Sequence, residues 1–169
     1  MMNLEKLFET QQDLDALIQV KHGQEKINLN NMILAVITEI GEMSNEWGGF
    51  KDWKVNKQPK EGLLDEIADV LSFILVIGNQ LHHRGALIIY PEGDSNRNGL
   101  VYDDITTQIL ALTSYFIRLW EYDEIDEGYR DVLTTFAILT EMLGFTWDEI
   151  EAAYYAKNKI NHERQEANY

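Results

Sequence analysis

The sequence predicts an all-α protein: one domain over residues 1–169, built as a bundle of about five or six helices. Three observations lead there. Apolar residues recur at intervals of three and four through most of the chain. The periodic segments are punctuated by helix signals, with glycines at Gly23 and Gly144 as stops and a capping box opening at Thr146. Finally, 45% apolar residues in a chain of 169 suffice for one packed core.

The first helix is expected from Asn3 to about His22, where Leu4, Leu7, Phe8, Leu14, Leu17 and Ile18 fall at helical spacing before Gly23. Gln11, one turn after Leu7, borders its inner face. A second helix should begin near Asn30 or Asn31 and run to Trp47, with Ile33, Val36, Ile37, Ile40 and Met43 apolar. Along it Met32, Ala35, Glu39, Glu42 and Glu46 form one stripe that turns from apolar to acidic. No Lys or Arg lies between Met32 and Phe50 to supply i,i+4 partners, so these acids read as facing inward.

WGGFKDWKVNKQPKEG then reads as a loop. Lys51, Lys54, Lys57 and Lys60 place four of the fourteen basic residues in it, which suits either a solvated linker or a basic cover for a polyphosphate. The third helix is expected from about Lys60 to Arg84. Beyond Asp69 it is apolar nearly all round (Val70, Leu71, Phe73, Ile74, Leu75, Val76, Ile77), which puts it in the middle of a bundle or in an oligomer interface.

From Gly85 to about Tyr102 the pattern turns irregular and reads as a connection, with room for a small extended piece. Periodicity resumes from Asp103 to about Tyr122 (Ile105, Ile109, Leu112, Phe116, Leu119) and from about Glu127 to Leu143 (Val132, Leu133, Phe136, Leu139). Thr146 and Glu149 open a last helix to about Gln165. On its end Lys157, Asn161 and Arg164 recur at four and three residues, a basic, amide-bearing face that suits phosphate oxygens or simply the negative end of a helix dipole. His22, His82, His83 and His162 show no metal or triad spacing.

The chemistry concentrates between Thr38 and Asp69, in two acidic pairs of equal spacing: Glu39 with Glu42, and Glu66 with Asp69. Positions three apart on a helix lie about 60° apart around it, so each pair projects its carboxylates side by side. Two pairs on neighbouring helices would make a nest of four carboxylates. Such crowding requires hard cations, and an all-oxygen donor set favours magnesium, manganese or calcium over zinc. A metal-assisted reaction on a phosphorylated substrate is the expected function.

Composition narrows the alternatives. Fourteen basic against twenty-nine acidic residues leave a formal net charge of −15, which repels polyanions and argues against duplex nucleic acid as the main partner. A small anionic substrate would need metal ions and a local basic patch. The absence of cysteine rules out disulfides, thiolate metal sites and a cysteine nucleophile. No run of about eighteen apolar residues suits a membrane span, and MMNLEKLFETQQD is unlike a secretory signal, so a cytoplasmic protein without a membrane partner is expected.

Taken together, QQDLD, ITEIGEMSNEW, LLDEIADVLSF and KNKINHERQ resemble the dimeric, all-α dUTPases, part of the wider MazG-like group of all-α nucleoside triphosphate pyrophosphatases. The acidic pairs point to the wider group, while the N- and C-terminal motifs point to dUTPase. The resemblance implies a homodimer that hydrolyses dUTP, and dUDP as well, to dUMP. It implies that Glu39, Glu42, Glu66 and Asp69 hold magnesium, with manganese as a substitute. It implies that Gln11 and Asp15 read the uracil edge and that Lys157, Asn161 and Arg164 contact phosphates. Asp15 stands where some relatives carry asparagine; a carboxylate can still accept the N3–H of uracil. Lys51 and Lys54 are expected to supply charge that a longer basic C-terminal segment supplies in some of these enzymes.

Glu39 or Glu42 would accept a proton from the attacking water, with Glu39 preferred. Trp47, Phe50, Trp53 and Phe73 are candidate wall and stacking residues for the base, Phe73 being the better fit to the core. Two alternatives remain: a pyrophosphatase of the same group acting on dCTP or another non-canonical nucleotide, and a non-catalytic helical interaction module with an acidic nest.

Overall fold

The computed structural model of the chain describes residues 4–24, 26–81, 99–121 and 125–167. Among these residues it contains six helices and no strand: α1 (Leu4–His22), α2 (Leu29–Trp47), α3 (Leu63–Gln80), α4 (Ile105–Glu121), α5 (Ile125–Met142) and α6 (Trp147–Glu166). The all-α bundle expected from periodicity is the observed architecture. The remainder of the expected third helix, most of the Gly85–Tyr102 connection, and His82 and His83 lie outside the described residues.

Local chemistry sets the ends. α1 stops where Gly23 takes a left-handed φ of 62°, and α2 stops at Gly48 with φ 68°. α2 begins at Leu29, slightly before the expected Asn30 or Asn31, because Asn28 is the cap: its side-chain oxygen accepts the Asn31 N–H at 3.2 Å. α3 begins at Leu63 rather than Lys60. Lys60 is held back by its own N–H, which donates to the Glu46 carbonyl at 2.9 Å, and by an ion pair to the Glu46 carboxylate. At α6 the capping box is complete: the Thr146 hydroxyl accepts the Glu149 N–H at 3.4 Å, and the Glu149 carboxylate accepts the Thr146 N–H at 2.8 Å.

α3 is the central element, packed on α2, α6, α1 and α5, while α4 packs on α5 and α2. Ile67, Val70, Leu71, Ile74, Leu75 and Ile77 are completely buried along it. The apolar circumference read from the sequence is therefore a bundle core. Polar groups tie the neighbours to α3: the Tyr129 hydroxyl donates to the Ile74 carbonyl at 2.7 Å, and the Asn79 amide donates to the Phe8 carbonyl at 3.1 Å. Between these ties Gly78 leaves no room for a side chain. A Cβ there would lie 2.1 Å from the Tyr129 oxygen and 2.7 Å from the Phe8 ring. Among the described residues no helix is long and apolar enough to cross a membrane.

Candidate active site

The α2–α3 packing brings the two acidic pairs face to face. Glu39 and Glu42 of α2 and Glu66 of α3 each offer a carboxylate oxygen, all within 4.8 Å of one another. Asp69 stands on the same flank of α3 but is engaged differently, its Oδ2 lying 2.6 Å from the Lys157 ammonium of α6. The nest expected from spacing is thus three converging carboxylates beside a fourth that holds a lysine. Lys157, expected as a phosphate contact, is placed where it offsets the acidic cluster. Glu46, next on the α2 stripe, is turned to Lys60.

The crowding is visible in the acidities. Burial, then the charges of Asp69, Glu42 and Glu66, push the Glu39 carboxyl up to about 7, against the pull of Lys157. Glu66 is raised by burial and by Asp69 and Glu42. Asp69 is raised by burial, with Lys157 opposing. Carboxyls that raise one another's pKa, offering only oxygen, fit a hard divalent cation: its charge would relieve their mutual repulsion.

Next to this cluster opens a pocket of about 530 Å³. α1 contributes Gln11, Leu14, Asp15 and Ile18; the α1–α2 connection contributes Lys26 and Asn28; the first turn of α2 contributes Asn31 and Met32; α3 contributes Asp69, Ser72, Phe73 and Val76; α6 contributes Asn161, Arg164 and Gln165. Asp69 belongs to both the pocket and the acidic flank, so the two are contiguous. Gln11 and Asp15, 3% and 7% exposed, are part of the wall. The Gln11 amide donates to Asp15 Oδ1 at 2.8 Å, and burial pushes the Asp15 carboxyl up to about 6 despite that bond.

A family model for dUTPase matches residues 3–169, nearly the whole chain. The chain belongs to the dUTPase family. It is accordingly an enzyme, and at the level of the family its reaction is the hydrolysis of dUTP. No curated protein matches the chain.

The dUTPase pocket gathers Gln11, Asp15, Asp69, Asn161 and Arg164 and leaves Lys51 and Trp53 outside its lining. Those two belong to an aromatic run at the end of α2: Trp47 and Phe50 stack with centroids 6.5 Å apart, and Trp53 meets Phe50 edge-on at 5.9 Å. Lys51 lies over the Phe50 ring and donates to the Asn45 carbonyl at 3.2 Å. Trp53 is 73% exposed. Of the four aromatic candidates only Phe73, expected in the core, reaches the pocket, since α3 turns that edge away from its buried stripe. Sequence reading missed Lys26, Asn28, Asn31 and Ser72. Asn31 signalled only a helix start, and Lys26 and Asn28 belong to no periodic pattern.

Proposed function

We propose that this dUTPase cleaves the α,β-anhydride of dUTP with water, giving dUMP and pyrophosphate, and cleaves dUDP to dUMP and phosphate. Glu39, Glu42, Glu66 and Asp69 are the residues that would hold magnesium, or manganese in its place. When bound, the ion supplies charge neutralisation to the polyphosphate and acidifies water. The observation that carries the reading is the convergence of three carboxylates from α2 and α3 beside a pocket that Asp69, on the same flank of α3, helps to line.

Glu39 is our choice for the base that takes the proton of the attacking water. It is half-buried and faces Glu42, Glu66 and Asp69, whereas Glu42 is exposed. Gln11 and Asp15 would read the uracil edge, and Lys157, Asn161 and Arg164 would grip phosphate oxygens, Lys157 from beside Asp69. Lys51 and Trp53 would act from the loop once nucleotide is bound. Exclusion of dTTP is assigned to a pocket wall, including Phe73, that leaves no room for a 5-methyl group; in an apolar pocket one such group is worth about 1 to 3 kcal/mol. The setting we propose is the cytoplasm and the state a homodimer. Exposed Leu110, Ile117 and Trp120, which share the outer face of α4, support a second copy there.

The test is pyrophosphate release across all deoxynucleoside triphosphates, with and without magnesium. Fastest magnesium-dependent release from dUTP is expected; faster release from dCTP would favour a different base pocket on the same centre, and no turnover of any nucleotide would favour an interaction module. Glu66→Gln should lower dUTP turnover more than about 100-fold with the helical spectrum unchanged, since even outer partners of metal ligands are worth 10- to 100-fold. Full activity in that variant would remove Glu66 from the centre.

A further inference from the structure

A row of buried polar groups joins α6 to α1 beneath the pocket, and neither the proposed hydrolysis nor the metal ligands use its inner members. The Asn158 amide donates to the Tyr154 hydroxyl at 3.5 Å, that hydroxyl donates to Gln11 Oε1 at 3.1 Å, and Gln11 Nε2 donates to Asp15 Oδ1 at 2.8 Å. Tyr154 is completely buried and Asn158 is 6% exposed. All three bonds point the same way, and the row ends on a carboxylate of the pocket wall. The other oxygen of that carboxylate, Asp15 Oδ2, is buried without a hydrogen-bond partner among the described residues. An unpaired oxygen in such a place is costly unless a ligand supplies the donor.

The direction of the row is fixed by chemistry. Reversing the Gln11 amide would set its carbonyl oxygen against the Asp15 carboxylate, two acceptors with no proton between them. It would also take from the Tyr154 proton its nearer acceptor, leaving the Leu7 carbonyl at 3.4 Å. One side of the amide is therefore set by Asp15 and the other by Tyr154.

We propose that Tyr154 is a positioning residue for base selectivity: steadied by Asn158, its hydroxyl locks the Gln11 amide so that Asp15, in the pocket wall, keeps one oxygen unshared for a donor on the base, favouring a base with a ring N–H over one with a bare ring nitrogen. Uracil carries that N–H at N3, while cytosine carries a lone pair there. The proposal rests on the reading of the site as a dUTP pocket and adds the device that sets its preference.

The experiment compares the full chain with Tyr154→Phe, which keeps the ring and deletes the hydroxyl, with Asn158→Ala, and with Tyr155→Phe as a neighbouring control. Pyrophosphate release from dUTP and dCTP is measured with magnesium, binding of dUMP and dCMP is measured by calorimetry, and folding is checked by circular dichroism. Loss of one orienting hydrogen bond should raise the KM for dUTP, and weaken dUMP binding, about 10-fold. The kcat for dUTP should stay within about twofold, because the carboxylates are untouched. The KM for dCTP should not rise, so the dUTP-to-dCTP ratio of kcat/KM falls about 10-fold. Asn158→Ala should move the ratio the same way by less, and Tyr155→Phe should leave it alone. A wild-type preference for dUTP that survives in Tyr154→Phe, or an equal loss on both nucleotides, would overturn the relay and leave the dUTP reading standing. A wild-type enzyme that prefers dCTP, or binds neither monophosphate, would overturn the dUTP reading and the relay with it.

Discussion

Asp15 shows how one enclosed carboxyl couples stability to pH. Its pKa rises from 3.8 to about 6 because burial disfavours the charge, so the folded chain holds a proton that the unfolded chain has released. Between those two values the unfolded state binds fewer protons, and this group's contribution to stability falls as pH rises, then levels off above about 6. Ionising it inside the fold costs about 3 kcal/mol at most. Asp15→Asn removes the titration. Urea unfolding of both proteins at pH 4 and pH 7 should show the difference in stability moving in favour of the asparagine variant by up to about 3 kcal/mol as pH rises. A constant difference would mean that Asp15 titrates normally. At this scale the sequence was partly legible. The i,i+3 acids announced themselves, because their geometry is local to each helix, and Gln11 was visible at the edge of an apolar face. Tyr154 was not: its partner lies 143 positions away, and only the α1–α6 contact brings them together.

Elements were legible where their boundaries are made by neighbours in sequence. The Thr146 and Glu149 box and the stops at Gly23 and Gly144, with φ 62° and 88°, are local chemistry and fell where expected. The start of α3 was not, because the Lys60 pairing that delays it reaches back to Glu46 on another helix. Gly78 is the sharpest case of an element shaped by its packing. A glycine inside a helix ordinarily weakens it, yet here the close approach of Tyr129 and Phe8 requires it. Gly78→Ala should destabilise the protein by about 1 to 3 kcal/mol, the usual cost of forcing an extra carbon into a tight core, despite alanine's better helix propensity. Thermal unfolding checks this; a rise in Tm would show that Tyr129 withdraws without cost.

For the molecule as a whole, a formal charge of −15 and a cluster of converging carboxylates mean that the divalent ion proposed for the site would stabilise the fold as well as serve the chemistry. A cation that binds only the folded chain should stabilise it by about 2.7 kcal/mol at 100 times its Kd. Magnesium should therefore raise Tm relative to chelator, the rise should shrink in Glu66→Gln, and an equal rise in both proteins would point to nonspecific screening. The bundle could be read from periodicity alone, whereas the all-round apolar α3 fitted either a bundle centre or an oligomer interface until its packing on α1, α2, α5 and α6 decided it. The pocket could not, because its wall is assembled from α1, the connection after it, the first turn of α2, α3 and α6. The order of those pieces along the chain also has a consequence during synthesis. The acids on α2 and α3 leave the ribosome well before α6 closes the chamber and brings Lys157 to Asp69. A nascent chain that has displayed its acids but not yet its last helix lacks Asn161, Arg164 and Gln165, so the pocket is the last part of the proposed site to be completed.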